Sequence, residues 1–177
     1  MTDYRDRVKA DRGLIKMIEL AIPGFRGYRK KEDLRIADRL LREELANRLS
    51  TVQDSFESFK EALIKKNEID LIEDAGNLVK RIRAAKERML HAEQGYTGVS
   101  PDYRIEEPQL NMMYEWDLSL LDIIETLQNH ANNMRARASA GEDVAKDLEA
   151  ADLEIESYEQ IFDRRREFLA GLTLKGD

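Results

Sequence analysis

Residues 110–172 read "LNMMYEWDLSLLDIIETLQNHANNMRARASAGEDVAKDLEAADLEIESYEQIFDRRREFLAGL", and two runs of mostly apolar positions within them decide the fold. In each run the steps alternate between three and four residues, which is typical of one stripe on an α-helix with coiled-coil-like packing. The first stripe comprises Leu110, Met113, Asp117, Leu120, Ile124, Leu127, Ala131, Met134 and Ala138, and the second comprises Val144, Leu148, Ala151, Ile155, Tyr158, Phe162, Arg165, Leu169 and Leu172.

The two stripes fit each other as an antiparallel hairpin that turns at Gly141. Facing residues of such a hairpin have numbers that add to a constant, and the pairs 110 with 172, 124 with 158 and 138 with 144 all satisfy that condition. Gly141 suits the turn, because glycine readily adopts the left-handed conformation that ends a helix. We therefore predict a helical hairpin over residues 109–172.

The same register places Asp117 opposite Arg165, two charges within otherwise apolar stripes. A lone buried charge is costly, whereas a facing Arg–Asp pair forms charge-assisted hydrogen bonds. We interpret the two residues as a structural buried pair that specifies the register. On this interpretation, exchanging the two charges should rescue either single variant.

The first half of the chain repeats the pattern less strictly and turns near Asn67. The predicted elements are an accessory amphipathic helix over 3–21, a first hairpin over 29–94, a loop over 95–109 and the second hairpin. Together they predict a single all-α domain over residues 1–177, an elongated antiparallel four-helix bundle of two long hairpins. The stripes of the first hairpin are Leu45, Leu49, Val52, Phe56, Phe59 and Leu63, and Ile72, Ala75, Val79, Ile82 and Met89.

Composition argues against several kinds of function. The chain has no cysteine and two histidines, so thiolate metal sites, cysteine nucleophiles and disulfides are excluded. Glu87 and His91 have ligand-like spacing, but no second such motif accompanies them, and Glu125 lies off the helical face of His130. We predict no metal, no cofactor and no catalytic residue, hence a non-enzymatic protein. Without a signal peptide or an apolar run near the ~20 residues that a membrane span needs, we expect a cytoplasmic location.

One end of the predicted bundle is aromatic and basic in an otherwise acidic chain. Residues 1–31 hold nine Lys/Arg against four Asp/Glu, although the whole chain carries a net charge of −7. The aromatic residues there either close the end of the bundle or form a recognition surface. We predict partner-binding residues at this end, namely Phe25, Arg26, Tyr28, Arg29, Lys30, Lys31, Tyr96, Tyr103, Tyr114 and Trp116.

Three other ligands compete with a protein partner for this region. Residues 3–22 form a basic amphipathic segment, which suggests a peripheral protein on an anionic membrane surface, although packing on the bundle would produce the same pattern. The "GFRG" at Gly24–Gly27 matches a loop that clamps nucleic acid in KH domains. That fold needs strands, and this sequence predicts none. A simpler interpretation is a turn in which Phe25 plugs the bundle end. Heptad stripes also permit self-association.

Two stretches resemble a group of small, all-helical, functionally uncharacterised prokaryotic proteins. They are "IPGFRGYRKKEDLRIADRLLREELA" (22–46) and "GYTGVSPDYRIEEPQLNMMYEWDLSLLD" (95–122). The similarity covers about a third of the chain. It implies an all-helical fold and brings no activity, cofactor or catalytic residue with it.

Overall fold

The alternating apolar stripes correspond to helices. The structure, a computed structural model, describes residues 4–28, 31–92 and 106–174, with side chains at 13–28, 35–92, 106 and 108–171. Within these ranges there is no strand, and the all-α bundle prediction is confirmed. The helices are α1 (Tyr4–Ala21), α2 (Lys31–Lys66), α3 (Ile69–His91), α4 (Glu107–Ala140) and α5 (Ala145–Leu174).

Both predicted hairpin turns are present and share one backbone motif. Asn67 and Gly141 have φ values of 61° and 81°, in the left-handed region. The N–H groups of Asn67 and Glu68 donate to the carbonyls of Ile64 and Leu63, and those of Gly141 and Glu142 donate to Ala138 and Arg137. This is the Schellman pattern, which satisfies carbonyls that the end of a helix otherwise leaves unpaired.

The chain divides into two compact units. Unit 1 comprises Met1–Glu44, Ala92–Leu120 and Ile161–Asp177, and unit 2 comprises Leu45–His91 and Leu121–Gln160. α2, α4 and α5 each contribute residues to both units, whereas α3 belongs to unit 2 alone. The prediction of a single domain over 1–177 stays a prediction.

Unit 2 has the core that the stripes predict. The stripe residues of α2 from Leu45 to Leu63 are buried, as are those of α4 and α5 that belong to this unit. The predicted stripe of α3 is wrong at Ile72, which is half-buried, while Leu78 and Ala85 are buried although the stripe omits them. The reason is that α3 buries a broad arc, as helices in globular bundles do, and not the narrow seam of a two-stranded coiled coil.

Unit 1 has a core of mixed chemistry. Apolar and aromatic residues from α1, the segment after it, α2, α4 and α5 enclose four buried polar or charged residues. The buried charged residues are Asp38, Arg42, Asp117 and Arg165. Among the described residues, buried charge occurs in unit 1 and not in unit 2.

Candidate interaction site

α1 has two different faces. Ile18 and, just after the helix, Ile22 are 0% and 2% exposed, four residues apart and hence on one side. Met17 and Leu20 are 57% and 79% exposed, and Lys16 is also exposed. The packing interpretation therefore holds for the Ile18 side of the helix. The other side presents two large apolar side chains and a lysine to solvent.

The segment after α1 forms the predicted turn. The N–H of Ile22 donates to Ile18 O at 2.8 Å, and that of Phe25 donates to Ile22 O at 3.2 Å. Gly24 and Gly27 have φ values of 86° and 87°, which glycine adopts without the steric cost that a Cβ brings. A Cβ on Gly27 would lie 2.6 Å from the Tyr114 hydroxyl oxygen. The turn therefore depends on glycine at residue 27 both for its backbone and for its contact with α4.

Phe25, Tyr28 and Tyr114 form an aromatic cluster in the interior of unit 1. The ring centroids of Tyr28 and Tyr114 are 5.4 Å apart and stacked, and Phe25 meets the Tyr28 ring edge-on at 5.3 Å. The backbone N–H of Tyr28 donates to the Tyr114 hydroxyl at 3.1 Å. All three side chains are buried. Such large rings gain more by closing the unit than by facing water, and their burial agrees with the interpretation of Phe25 as a plug. That the three residues bind a partner stays a prediction.

Arg165 lies at the centre of a buried hydrogen-bond network. Its Nε donates to Asp117 Oδ1 at 2.7 Å, its Nη1 to Asp38 Oδ1 at 2.6 Å, and its Nη2 to the Tyr28 hydroxyl at 3.0 Å. The Tyr28 hydroxyl in turn donates to Asp117 Oδ2. The predicted Asp117–Arg165 pair is thus confirmed, but it is one contact of a larger network.

A second arginine completes the network on the side of α2. Arg42 Nε donates to Asp38 Oδ2 at 2.9 Å, one turn away on the same helix, and Arg42 Nη1 donates to the Ala92 carbonyl at 3.2 Å. Two carboxylates therefore face two guanidinium groups, and a neutral phenol joins them. The network links the segment after α1 to α2, α4 and α5.

Burial and charge act in opposite directions on the two carboxyl groups. Burial opposes ionisation of Asp38, but the guanidinium groups of Arg165 and Arg42 outweigh it and hold the pKa of Asp38 below its ordinary value. Complete burial raises the pKa of Asp117, and Arg165 offsets this only in part. Burial, and then the charge of Asp117, raise the pKa of Tyr28 far above its ordinary value, so the phenol keeps the proton that it donates.

The remaining predicted site residues separate into two groups. Arg26 is exposed, and Trp116 is half-buried with its ring 5.7 Å from that of Phe168. Arg29, Lys30, Tyr96 and Tyr103 lie outside the described residues, as does most of the predicted 95–109 loop, and Lys31 begins α2 with its side chain outside them. Of the predicted residues whose side chains the structure describes, Arg26 is exposed, and Lys16, Met17 and Leu20 of α1 are exposed beyond the predicted set.

Sequence reasoning missed Asp38 and Arg42 as members of the network. A signal was present, because the α2 stripe continues backwards from Leu45 through Leu41 to Asp38 in steps of four and three. Asp38 thus occupies an apolar stripe position, as Asp117 and Arg165 do. A charge at such a position points to a buried partner whatever helix supplies it.

Among the described residues there is no group of His, Asp and Glu suited to hold a metal ion, and Glu87 and His91 form an exposed pair at 3.3 Å. None of the described helices has an apolar window long enough to cross a bilayer.

Comparison with protein-family models, with curated proteins and with solved structures found no match. The resemblance to the all-helical prokaryotic group stays a prediction.

Proposed function

We propose that the protein is a non-enzymatic helical interaction module that binds an acidic partner protein through exposed side chains of its N-terminal segment. We call these side chains the N-terminal face: Lys16, Met17 and Leu20 of α1, and Arg26 in the turn that follows. The observation that carries the proposal is the exposure of Met17 and Leu20 on a helix that already buries its other side.

Single exposed apolar residues are common on protein surfaces and need no function. Met17 and Leu20 differ because they are three residues apart on one helix and have a lysine beside them. Apolar anchors with positively charged neighbours fit a partner surface that has an apolar centre and an acidic rim. Residues 1–31 carry an excess of positive charge in an acidic chain, which favours such a partner.

The experiment compares captured partners of the wild-type protein with those of three variants. The first variant carries Met17→Gln and Leu20→Gln, and the second has Arg26, Arg29, Lys30 and Lys31 neutralised. The matched control is Leu153→Gln, which removes an exposed leucine of α5 in unit 2. We expect the same partner to be lost with both test variants and kept with the control. When the partner is titrated with purified protein, the dissociation constant should be about tenfold or more higher for the first variant than for the wild type.

Thermal melts keep this test interpretable, because both glutamine substitutions are at exposed positions and should leave the melting temperature close to that of the wild type. An unchanged set of partners for the first two variants would contradict the proposal.

The same exposed pair favours one second candidate, a peripheral protein on an anionic membrane surface. Deleting residues 1–21 is a poor test, since it would uncover the core that Ile18 helps to fill. The Met17→Gln and Leu20→Gln variant is better, with pelleting on vesicles of phosphatidylserine and phosphatidylcholine. Binding of the wild type that falls with this variant but not with Leu153→Gln would replace the protein partner with a membrane. If the wild type and the two variants all pellet equally weakly, the proposed partner remains a protein.

A further inference from the structure

A groove of about 490 Å³ lies between the beginnings of α3 and α5, within unit 2. Each lining residue lies three or four positions from another on the same helix, so each helix presents one face over about two turns, or roughly 10 Å. They are Leu71, Asp74, Asn77 and Leu78 of α3, and Ala145, Leu148, Glu149 and Asp152 of α5.

The groove has an apolar floor and an acidic rim. Leu78 and Leu148 belong to the core, and Leu71 is half-buried at the surface of the groove. The lining includes three carboxylates and no lysine or arginine. Apolar surface beside negative charge is the combination that a cationic, partly apolar ligand matches.

Only one of the three carboxylates is committed to an ion pair within the described part of the chain. Asp152 accepts a hydrogen bond from Arg81 at 2.7 Å, and Arg81 also holds Glu159 at 2.8 Å. The bond to Glu159 is the main cause of a raised pKa at Arg81, so this guanidinium stays charged and engaged there. Asp74 and Glu149 have no ion-pair partner among the described residues. Their negative charge is therefore free to recognise a cation.

We infer that this groove binds a cationic amphipathic helix of a partner protein. A third helix fits between two others by setting its own ridge of side chains into the groove, with apolar residues at steps of three and four. Its leucine-type side chains would contact Leu71 above the floor that Leu78 and Leu148 form, and its lysine or arginine side chains would face Asp74 and Glu149. The inference goes beyond the proposed function, because it concerns a different unit and a partner of opposite charge.

Binding is tested with a 14-residue synthetic peptide of leucine and lysine at heptad spacing and with the same peptide carrying glutamate for lysine. We expect the lysine peptide to bind with a change in the NMR signal of the Asn77 side-chain amide, and the glutamate peptide not to bind. Binding of both peptides, or an unchanged Asn77 signal on binding, would overturn the inference.

Two pairs of variants separate the groove from non-specific attraction to an acidic protein. Glu149→Lys should weaken the lysine peptide about fivefold or more, whereas Glu125→Lys, which makes the same change of net charge at an exposed position of α4, should weaken it less than about twofold. Leu71→Gln should weaken it about tenfold, whereas Leu90→Gln, at an exposed leucine of the same helix, should not. Equal effects within either pair would overturn the inference.

The variant with Met17→Gln and Leu20→Gln distinguishes this inference from the proposed function. It should bind the lysine peptide as the wild type does, and Glu149→Lys should still capture the acidic partner. Loss of peptide binding in the N-terminal variant would overturn the assignment of the peptide to the groove.

Discussion

At the scale of single residues, Arg165 shows what a hairpin register reveals and what it omits. The register relates α4 to α5, and it correctly predicts Asp117 as a partner of Arg165. It contains no information on α2 or on the segment after α1, which supply Asp38 and Tyr28. Those contacts depend on how separate parts of the chain pack. The spacing of apolar residues within one helix does not predict that packing.

Because Arg165 also pairs with Asp38, we expect that exchanging the charges of residues 117 and 165 does not rescue either single variant, contrary to the expectation from the register alone. With Asp117→Arg and Arg165→Asp combined, the new aspartate would face Asp38, a like charge that the present guanidinium neutralises at 2.6 Å. Each single variant leaves buried charge unpaired and should lower the free energy of unfolding by about 3–5 kcal/mol. We expect the double variant to be no more stable than the worse single variant in urea unfolding. Recovery of more than half of the loss would show that Asp38 contributes little to the network.

The two carboxyl groups of the network predict opposite pH dependences. The folded-state pKa of Asp38 is below its ordinary value of 3.8, so its stabilising effect is present above pH 3.8 and is lost as the pH falls through the folded-state pKa. The pKa of Asp117 is raised instead, so protonation of this group favours the folded state. In urea unfolding from about pH 5 to about pH 2, we expect Asp38→Asn to flatten the loss of stability in acid and Asp117→Asn to steepen it. Identical slopes for the two variants would contradict these assignments.

At the scale of elements, helices and their turns follow from the sequence because their causes are local. The three-and-four spacing, the glycine at residue 141 and the asparagine at residue 67 each act within a few residues of where they stand. The aromatic residues Phe25, Tyr28 and Tyr114 are different, because a cap and a recognition surface use the same residue types. Their burial in unit 1 favours the cap.

The turn after α1 should depend on Gly27 more than the α4–α5 turn depends on Gly141. Both residues have φ near +80° to +90°, so Ala at either position has to adopt a left-handed conformation that costs about 1–2 kcal/mol. At Gly27 the new Cβ would also clash with the Tyr114 hydroxyl oxygen at 2.6 Å, whereas at Gly141 nothing lies within 4 Å. We expect Gly27→Ala to lower the melting temperature clearly more than Gly141→Ala. Equal shifts would indicate that Tyr114 moves aside without loss.

At the scale of the whole molecule, the division into two units makes a prediction about local opening. Tyr28→Phe removes the hydroxyl that donates to Asp117 and accepts from Arg165, so each of these buried charged groups loses one hydrogen bond within unit 1. In hydrogen exchange, we expect the protection of the backbone amides of Phe25 and of residue 28 to fall about tenfold or more. The amides of α3, which lies wholly in unit 2, should keep most of their protection. An equal loss in α3 would show that the two units open together.

Arg165 uses Nε, Nη1 and Nη2 on three separate acceptors, and lysine has a single nitrogen for the same task. Positions 28, 38, 117 and 165 are therefore interdependent: a lysine at 165 would have to serve from one atom three acceptors that the guanidinium reaches from three. A change at any one of the four positions alters the surroundings of the others while leaving the heptad pattern around them intact.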